Sequence, residues 1–210
     1  MTVILEGFRV HYNYSASYIF IYIEAAESRQ AMNGKQLINE TDFDQIFAIM
    51  EASFPVSEIR TRNGQRALLD HPYYYLYPRR DEEGQITAFL AAWELPELRF
   101  VEHIAVSPEV RSGGIGKQLM SEFIALSDKP VLLEVEPPDG ELEQRRIGFY
   151  ERLGFYLNPY DYVQPPLRAG QADLPLRIMT YPEPVTAEQF GRFRELLYTE
   201  VYGVDAQSRV

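Results

Sequence analysis

Two spacings of apolar residues, near 3.6 and 2, alternate along the chain and predict its elements. Phe43, Ile46, Phe47 and Met50 recur at helical spacing behind the capping oxygens of Glu40-Thr41-Asp42, so a first helix is expected to about Phe54, after a short strand over 36–39. A second helix, 57–70, carries Arg60, Arg62 and Arg66 and stops at His71-Pro72, because a residue before proline disfavours the helical region. Strands over 73–77, 86–95 and 98–106 are joined by turns, Glu82-Glu83-Gly84 and Pro96-Glu97, that are long enough only for antiparallel hairpins. Helix 115–126, strand 130–135 and helix 141–153, with Gly154 at the C′ position, follow this meander. Strands over 155–162 and 176–180 lead to a final amphipathic helix, 187–202, that presents Phe190, Phe193, Leu196 and Leu197.

Residues 1–33 alternate aromatic and polar positions at Tyr12, Tyr14, Tyr18, Phe20 and Tyr22. They read as an appendage: a strand or hairpin at the edge of the main sheet, or a start placed too far upstream with Met32 as the true beginning. At 210 residues, 46% of them hydrophobic, the rest is expected to form one domain over 34–210. No apolar run reaches the roughly 20 residues of a membrane span, and no basic segment precedes an apolar one at the start, so a cytoplasmic protein is expected. The absence of cysteine excludes disulfides, thiolate metal sites and a cysteine nucleophile; no metal site is expected. A net charge of −11 opposes nucleic-acid binding and favours cationic small molecules, although an acidic surface is also a common solubility device.

One segment changes the picture. Strand 101–106 runs into Ser-Pro-Glu-Val and then Arg111-Ser112-Gly113-Gly114-Ile115-Gly116-Lys117 at a helix start. Backbone N–H groups over 112–116, unshielded by side chains, can surround a pyrophosphate, and the helix adds about half a positive charge. A Gly-Gly pair is as readily an ordinary turn, so spacing has to decide. The Walker pattern fails, since Arg111 stands where it needs glycine and Gln118 where it needs serine or threonine; the dinucleotide pattern fails at Leu119.

The spacing R-x-x-G-x-G of Arg111, Gly114 and Gly116 resembles the acetyl-CoA signature of the GNAT acetyltransferase superfamily, in a bacterial-type member. Phe149-Tyr150-Glu-Arg-Leu-Gly154-Phe155 resembles its second signature, F-Y-x-x-x-G-F, and the likeness spans about 35–181. The resemblance implies an α/β (α+β) fold: a mixed, mostly antiparallel sheet of about seven strands flanked by helices, its central strands splayed to admit the cofactor. It implies transfer of an acetyl group from acetyl-CoA to an amine acceptor, with a non-catalytic acyl-CoA-binding module as the alternative. The amides over 111–117 would hold the pyrophosphate, with Arg111 and Lys117 reaching other phosphates. Ile104, Ala105 and Val106 would pair with pantetheine and offer an N–H to the acetyl oxygen, and Phe149 would flank the cofactor. Tyr150 would protonate the leaving thiolate, unless it is only a core aromatic.

An ammonium must lose a proton before it attacks, so a base is required. Glu134, on strand 130–135, and Glu102 are the candidates; for Glu134 the alternative is an edge carboxylate facing water. Glu102 and His103 are expected on opposite faces of their strand, His103 as a structural histidine. The loop 136–140 is lengthened, and Glu143 stands where relatives carry asparagine. Acceptor contacts are implied over 57–77, 136–141 and 159–170; Tyr73, Tyr74, Tyr75 and Tyr77 read as packing rather than a cation-binding wall. Without cysteine, direct attack within a ternary complex is expected. The aromatic C-terminal helix and the appendage suggest a possible homodimer.

Overall fold

A computed structural model describes residues 2–5, 8–11, 38–110 and 113–205. The chain divides into two compact units, 1–35 and 36–210. In the first, strands β1 (Thr2–Leu5) and β2 (Phe8–His11) pair antiparallel; Tyr12, Tyr14, Tyr18, Phe20, Tyr22 and Met32 lie outside the described residues.

In the second unit, helix α1 (Glu40–Ser53) buries Phe43, Ile46, Phe47 and Met50, as their spacing requires. Its cap is Asn39, whose Oδ1 accepts from Asp42 N at 2.9 Å. The strand expected over 36–39 is therefore not found at 38–39, and 36–37 are not described. The helix expected over 57–70 is broken in three: a 3-10 turn (Val56–Glu58), helix α2 (Arg62–Ala67) and a second 3-10 turn (Leu68–Asp70). Thr61 caps Gly64 N at 3.1 Å and restarts the helix there, while Ile59, extended at φ −129°, is drawn into the core.

Strands β3 (Tyr74–Arg80), β4 (Ile86–Glu94) and β5 (Arg99–Val106) form the expected antiparallel meander. β3 runs on through Pro78, which an edge strand tolerates. Tyr74 and Tyr77 are buried and stack or bond within the fold, Tyr77 donating to Glu94 at 2.9 Å, so this tyrosine run is packing. Helix α3 (Ile115–Ala125) crosses to β6 (Val131–Val135), which pairs parallel with β5. Helix α4 (Glu141–Glu151) ends two residues before the expected 153, with Gly154 in the left-handed region at φ +90° to turn the chain.

The strand expected over 155–162 is two pieces, β7 (Tyr156–Leu157) and β8 (Tyr162–Gln164). Asn158 interrupts it: its buried amide donates to Ile178 O and Thr180 Oγ1 and accepts from Val185 N. β9 (Leu174–Tyr181) pairs with β6 on one side and with both pieces, giving seven strands in the order β3-β4-β5-β6-β9-β7 with β8 also on β9. Helix α5 (Ala187–Leu196) passes into a π-helical turn (Leu197–Val201) instead of continuing to 202. Phe190, Phe193, Leu197, Tyr198 and Val201 are buried in the chain's own core, so this helix offers no aromatic face to a second copy. No helix among the described residues is long and apolar enough to cross a membrane.

Arg99 anchors the centre of this sheet. It is fully buried, holds both oxygens of Glu94 through Nε at 3.0 Å, donates to Phe123 O at 2.6 Å, and lies 3.6 Å from the Phe123 ring centre. Removing one partner of a buried pair strands the other, which costs about 3–5 kcal/mol. Arg99→Ala is expected to lower the free energy of unfolding, read from urea titration, by roughly that amount; an unchanged value would mean the sheet does not depend on this contact.

Candidate active site

β5 and β6 pair only from Arg99–Val131 to Val101–Leu133, after which the two strands part. The parting coincides with a bulge in β5: Ala91 faces His103 and Ala92 faces Val101, so Glu102 is the extra residue. A cavity of about 310 Å³ opens between the strands. Ser107 N donates to Thr87 O at 2.7 Å, and strand alternation then turns the N–H of Ala105 toward β4 and that of Ile104 toward the cleft. Ile104, Ala105 and Val106 all line it.

At one end of the cleft lies the start of α3. Gly114, at φ +71° and exposed, caps the helix without a side chain, leaving the first-turn amides open. Gly116 lines the cleft against Val106, whose Cγ2 an added Cβ would meet at 3.6 Å. Gly113 and Lys117 are exposed and Ile115 is half-buried. Arg111 and Ser112 lie outside the described residues. An uncapped helix N terminus beside an open strand edge fits the phosphates and the amide-bearing arm of a coenzyme A thioester.

α4 supplies Phe149 and Tyr150 to the same cleft, their rings edge-to-face at 5.1 Å, with Phe155 closing on Tyr150 at 5.7 Å. Tyr150 is 8% exposed, and burial pushes its phenol up to about 12 against the opposing pull of Arg146, so it is fully protonated at neutral pH. Glu143, outside this grouping, folds back over Gly140 at the helix start.

The two candidate carboxylates face the cleft in opposite electrostatic states. Glu134 is on a central strand, not an edge, and burial pushes its carboxyl up to about 7. Tyr202 restrains it by donating to both oxygens at 2.7 and 2.8 Å; Tyr162, buried beside the same carboxylate without a hydrogen bond of good geometry, pulls in the same direction. Burial would also raise Glu102, but the paired guanidinium of Arg60 outweighs it and holds the carboxyl below its ordinary range. Trp93 Nε1 adds a hydrogen bond at 3.2 Å.

The bulge overturns the expectation that Glu102 and His103 occupy opposite faces: the His103 ring comes within 3.8 Å of the Glu102 carboxylate. His103 is buried and bonds Glu58 O at 2.8 Å through Nε2, and burial lowers its basicity. Glu58 and Arg60 fall within the 57–77 segment implied for acceptor contacts without being singled out, and Tyr202 fell outside every implied segment. They come from the 57–70 segment and the chain's end, and nothing local to either marks its partner 42 or 68 residues away.

Known proteins share this fold. A family model described as an acetyltransferase (GNAT) domain matches residues 73–157. The Bacillus subtilis (strain 168) protein named "Putative acetyltransferase YjbC" is 31% identical over 104 residues, 49% of this chain and 52% of its own length; the chain spans about half of that curated relative. A solved structure titled "Putative acetyltransferase from GNAT family from Bacteroides thetaiotaomicron" is 32% identical, with a TM-score of 0.72 over 79% of this chain and 94% of that one. The Arabidopsis thaliana NAA60 complex with acetyl-CoA shares the fold, at 18% identity and a TM-score of 0.52, over 69% of this chain and 94% of that one.

The Tyr202 hydrogen bond favours the charged form of Glu134, so its removal raises the carboxyl further. In a carboxyl NMR titration Glu134 is expected to titrate at about 7 in the native chain, and at higher pH in Tyr202→Phe. A midpoint unmoved or lowered in the variant would contradict the contact.

Proposed function

The chain belongs to the GNAT acetyltransferase superfamily, and on that footing we propose that it transfers acetyl from acetyl-CoA directly to a primary amine of a small molecule or peptide. One observation carries the reading: Glu134, a carboxyl pushed up to about 7, stands in the opening between β5 and β6.

The pyrophosphate sits on the uncapped start of α3, over Gly113 to Lys117, with Arg111 and Lys117 supplying charge. Pantetheine runs along the free edge of β5, and Ile104 N–H points at the acetyl oxygen, where negative charge gathers as the amine attacks. Glu134 takes the proton that the amine nitrogen loses as its bond to the carbonyl carbon forms; a base near ambient pH is well matched to that task. As the carbon–sulfur bond breaks, Tyr150 gives its phenolic proton to the departing thiolate.

Glu102 is suited to holding rather than to proton removal. Paired with Arg60 and bonded by Trp93, it stays ionised and fixes the bulge that opens the strand edge.

The test is the pH dependence of thiol release with primary amines. Native kcat/KM is expected to rise through a limb at about 7, and Glu134→Gln to remove that limb with a loss of about 100-fold or more. Tyr150→Phe is expected to lower kcat by about 100-fold while acetyl-CoA affinity changes little. A chain that binds acetyl-CoA and releases no thiol with any amine would instead be the non-catalytic binding module.

A further inference from the structure

Acetyl transfer leaves three groups of the cleft without work: the Glu58 carboxylate, His103 Nδ1 and the Phe54 ring. Their residues adjoin. His103 Nε2 bonds the backbone oxygen of Glu58 at 2.8 Å, and the Phe54 ring meets the imidazole edge-on at 4.8 Å. A carbonyl oxygen can only accept, so Nε2 carries the proton and Nδ1 is a bare lone pair. His103 is 4% exposed, and among the described residues no hydrogen bond reaches Nδ1. Glu102 Oε2, 3.8 Å away, is an acceptor too and cannot satisfy it.

The charges around the cleft point the same way. Glu102 is matched by Arg60 and Glu136 by Arg146. Among the described residues no ion pair or hydrogen bond is found for the Glu58 carboxylate, and none with a guanidinium for Glu134. Glu58 is half-buried, repelled by Glu136 and only partly relieved by Arg146, so a charge-matching ligand would be favoured there. The uncompensated acids come from different elements, the turn before α2 and strand β6, and open on one cavity of about 310 Å³ that must also admit the acetyl group.

Resting on the acetyl-transfer reading, we propose that the acceptor is a small diamine. One nitrogen reaches Glu134 and is acetylated, while the other remains an ammonium, paired with Glu58 and donating to His103 Nδ1 beside the Phe54 ring. A neutral or anionic amine would leave both groups unmatched.

Binding tests this apart from turnover. The full chain, saturated with coenzyme A, is titrated calorimetrically with 1,4-diaminobutane and with n-butylamine. The diamine is expected to bind at least about tenfold tighter, an advantage of one charge-assisted contact. Glu58→Gln should shrink that ratio to about twofold, whereas Glu83→Gln, in an exposed turn, should keep it. The proposal is overturned by equal affinities, by no diamine binding, by an unchanged ratio in Glu58→Gln, or by an equal loss in Glu83→Gln, which would assign the effect to overall charge. The dipeptide Lys-Ala carries the same two ammonium groups; tighter binding than the diamine would move the site to peptides and overturn the small-molecule assignment. If coenzyme A itself fails to bind, the acetyl-transfer reading falls; if it binds and the amines are not distinguished, only the diamine falls.

Discussion

Everything at the cleft depends on two adjacent strands that stop bonding to each other. β5 and β6 share a short ladder and then part at the Glu102 bulge, where the Glu102 carboxylate is held by Arg60. Such a pair, with side-chain exposures of 11% and 4%, adds little net stability, because desolvation offsets most of the attraction. Its contribution is positional. Arg60 also donates to Val201 O at 3.0 Å, and Tyr202 follows with its bonds to Glu134, so the C-terminal turn is tied to both sides of the opening.

That arrangement sets two carboxylates to different states. Glu102 receives a guanidinium and an indole N–H and stays charged; Glu134 receives a phenol and no cation and titrates near neutrality. Divergent environments for neighbouring acids are how one site keeps a fixed charge and a transferable proton together. The π-helical turn has a definite part in this. A continued α-helix would rotate Tyr202 to a different direction, whereas the wider turn closes Tyr202 N onto Leu197 O at 3.1 Å and leaves the phenol in reach of Glu134.

The meander was legible because its signals are local: alternating residues and turns of two or three positions place β4 and β5 within a residue of their observed ends. The loop before α3 was legible through Gly114 and Gly116, whose spacing has few other uses. What escaped was set by competition or by distance. Thr61 capping broke the helix expected over 57–70, and Asn158 broke a strand that its aromatic neighbours favoured. The Glu102 bulge carries no glycine or proline to announce it, and it put His103 on the side opposite to simple alternation. Glu134 could be named as a candidate from its strand, but the phenol that restrains it lies 68 residues on.

The proposed acetyl-CoA site lies at the open edge of β5 and the start of α3. Backbone hydrogen–deuterium exchange, with and without acetyl-CoA, tests it most directly. Exchange is expected to slow at Ile104 and over 113–117, with β3 and the outer part of β4 unchanged. Binding without protection at those amides, or protection confined to another surface, would contradict it.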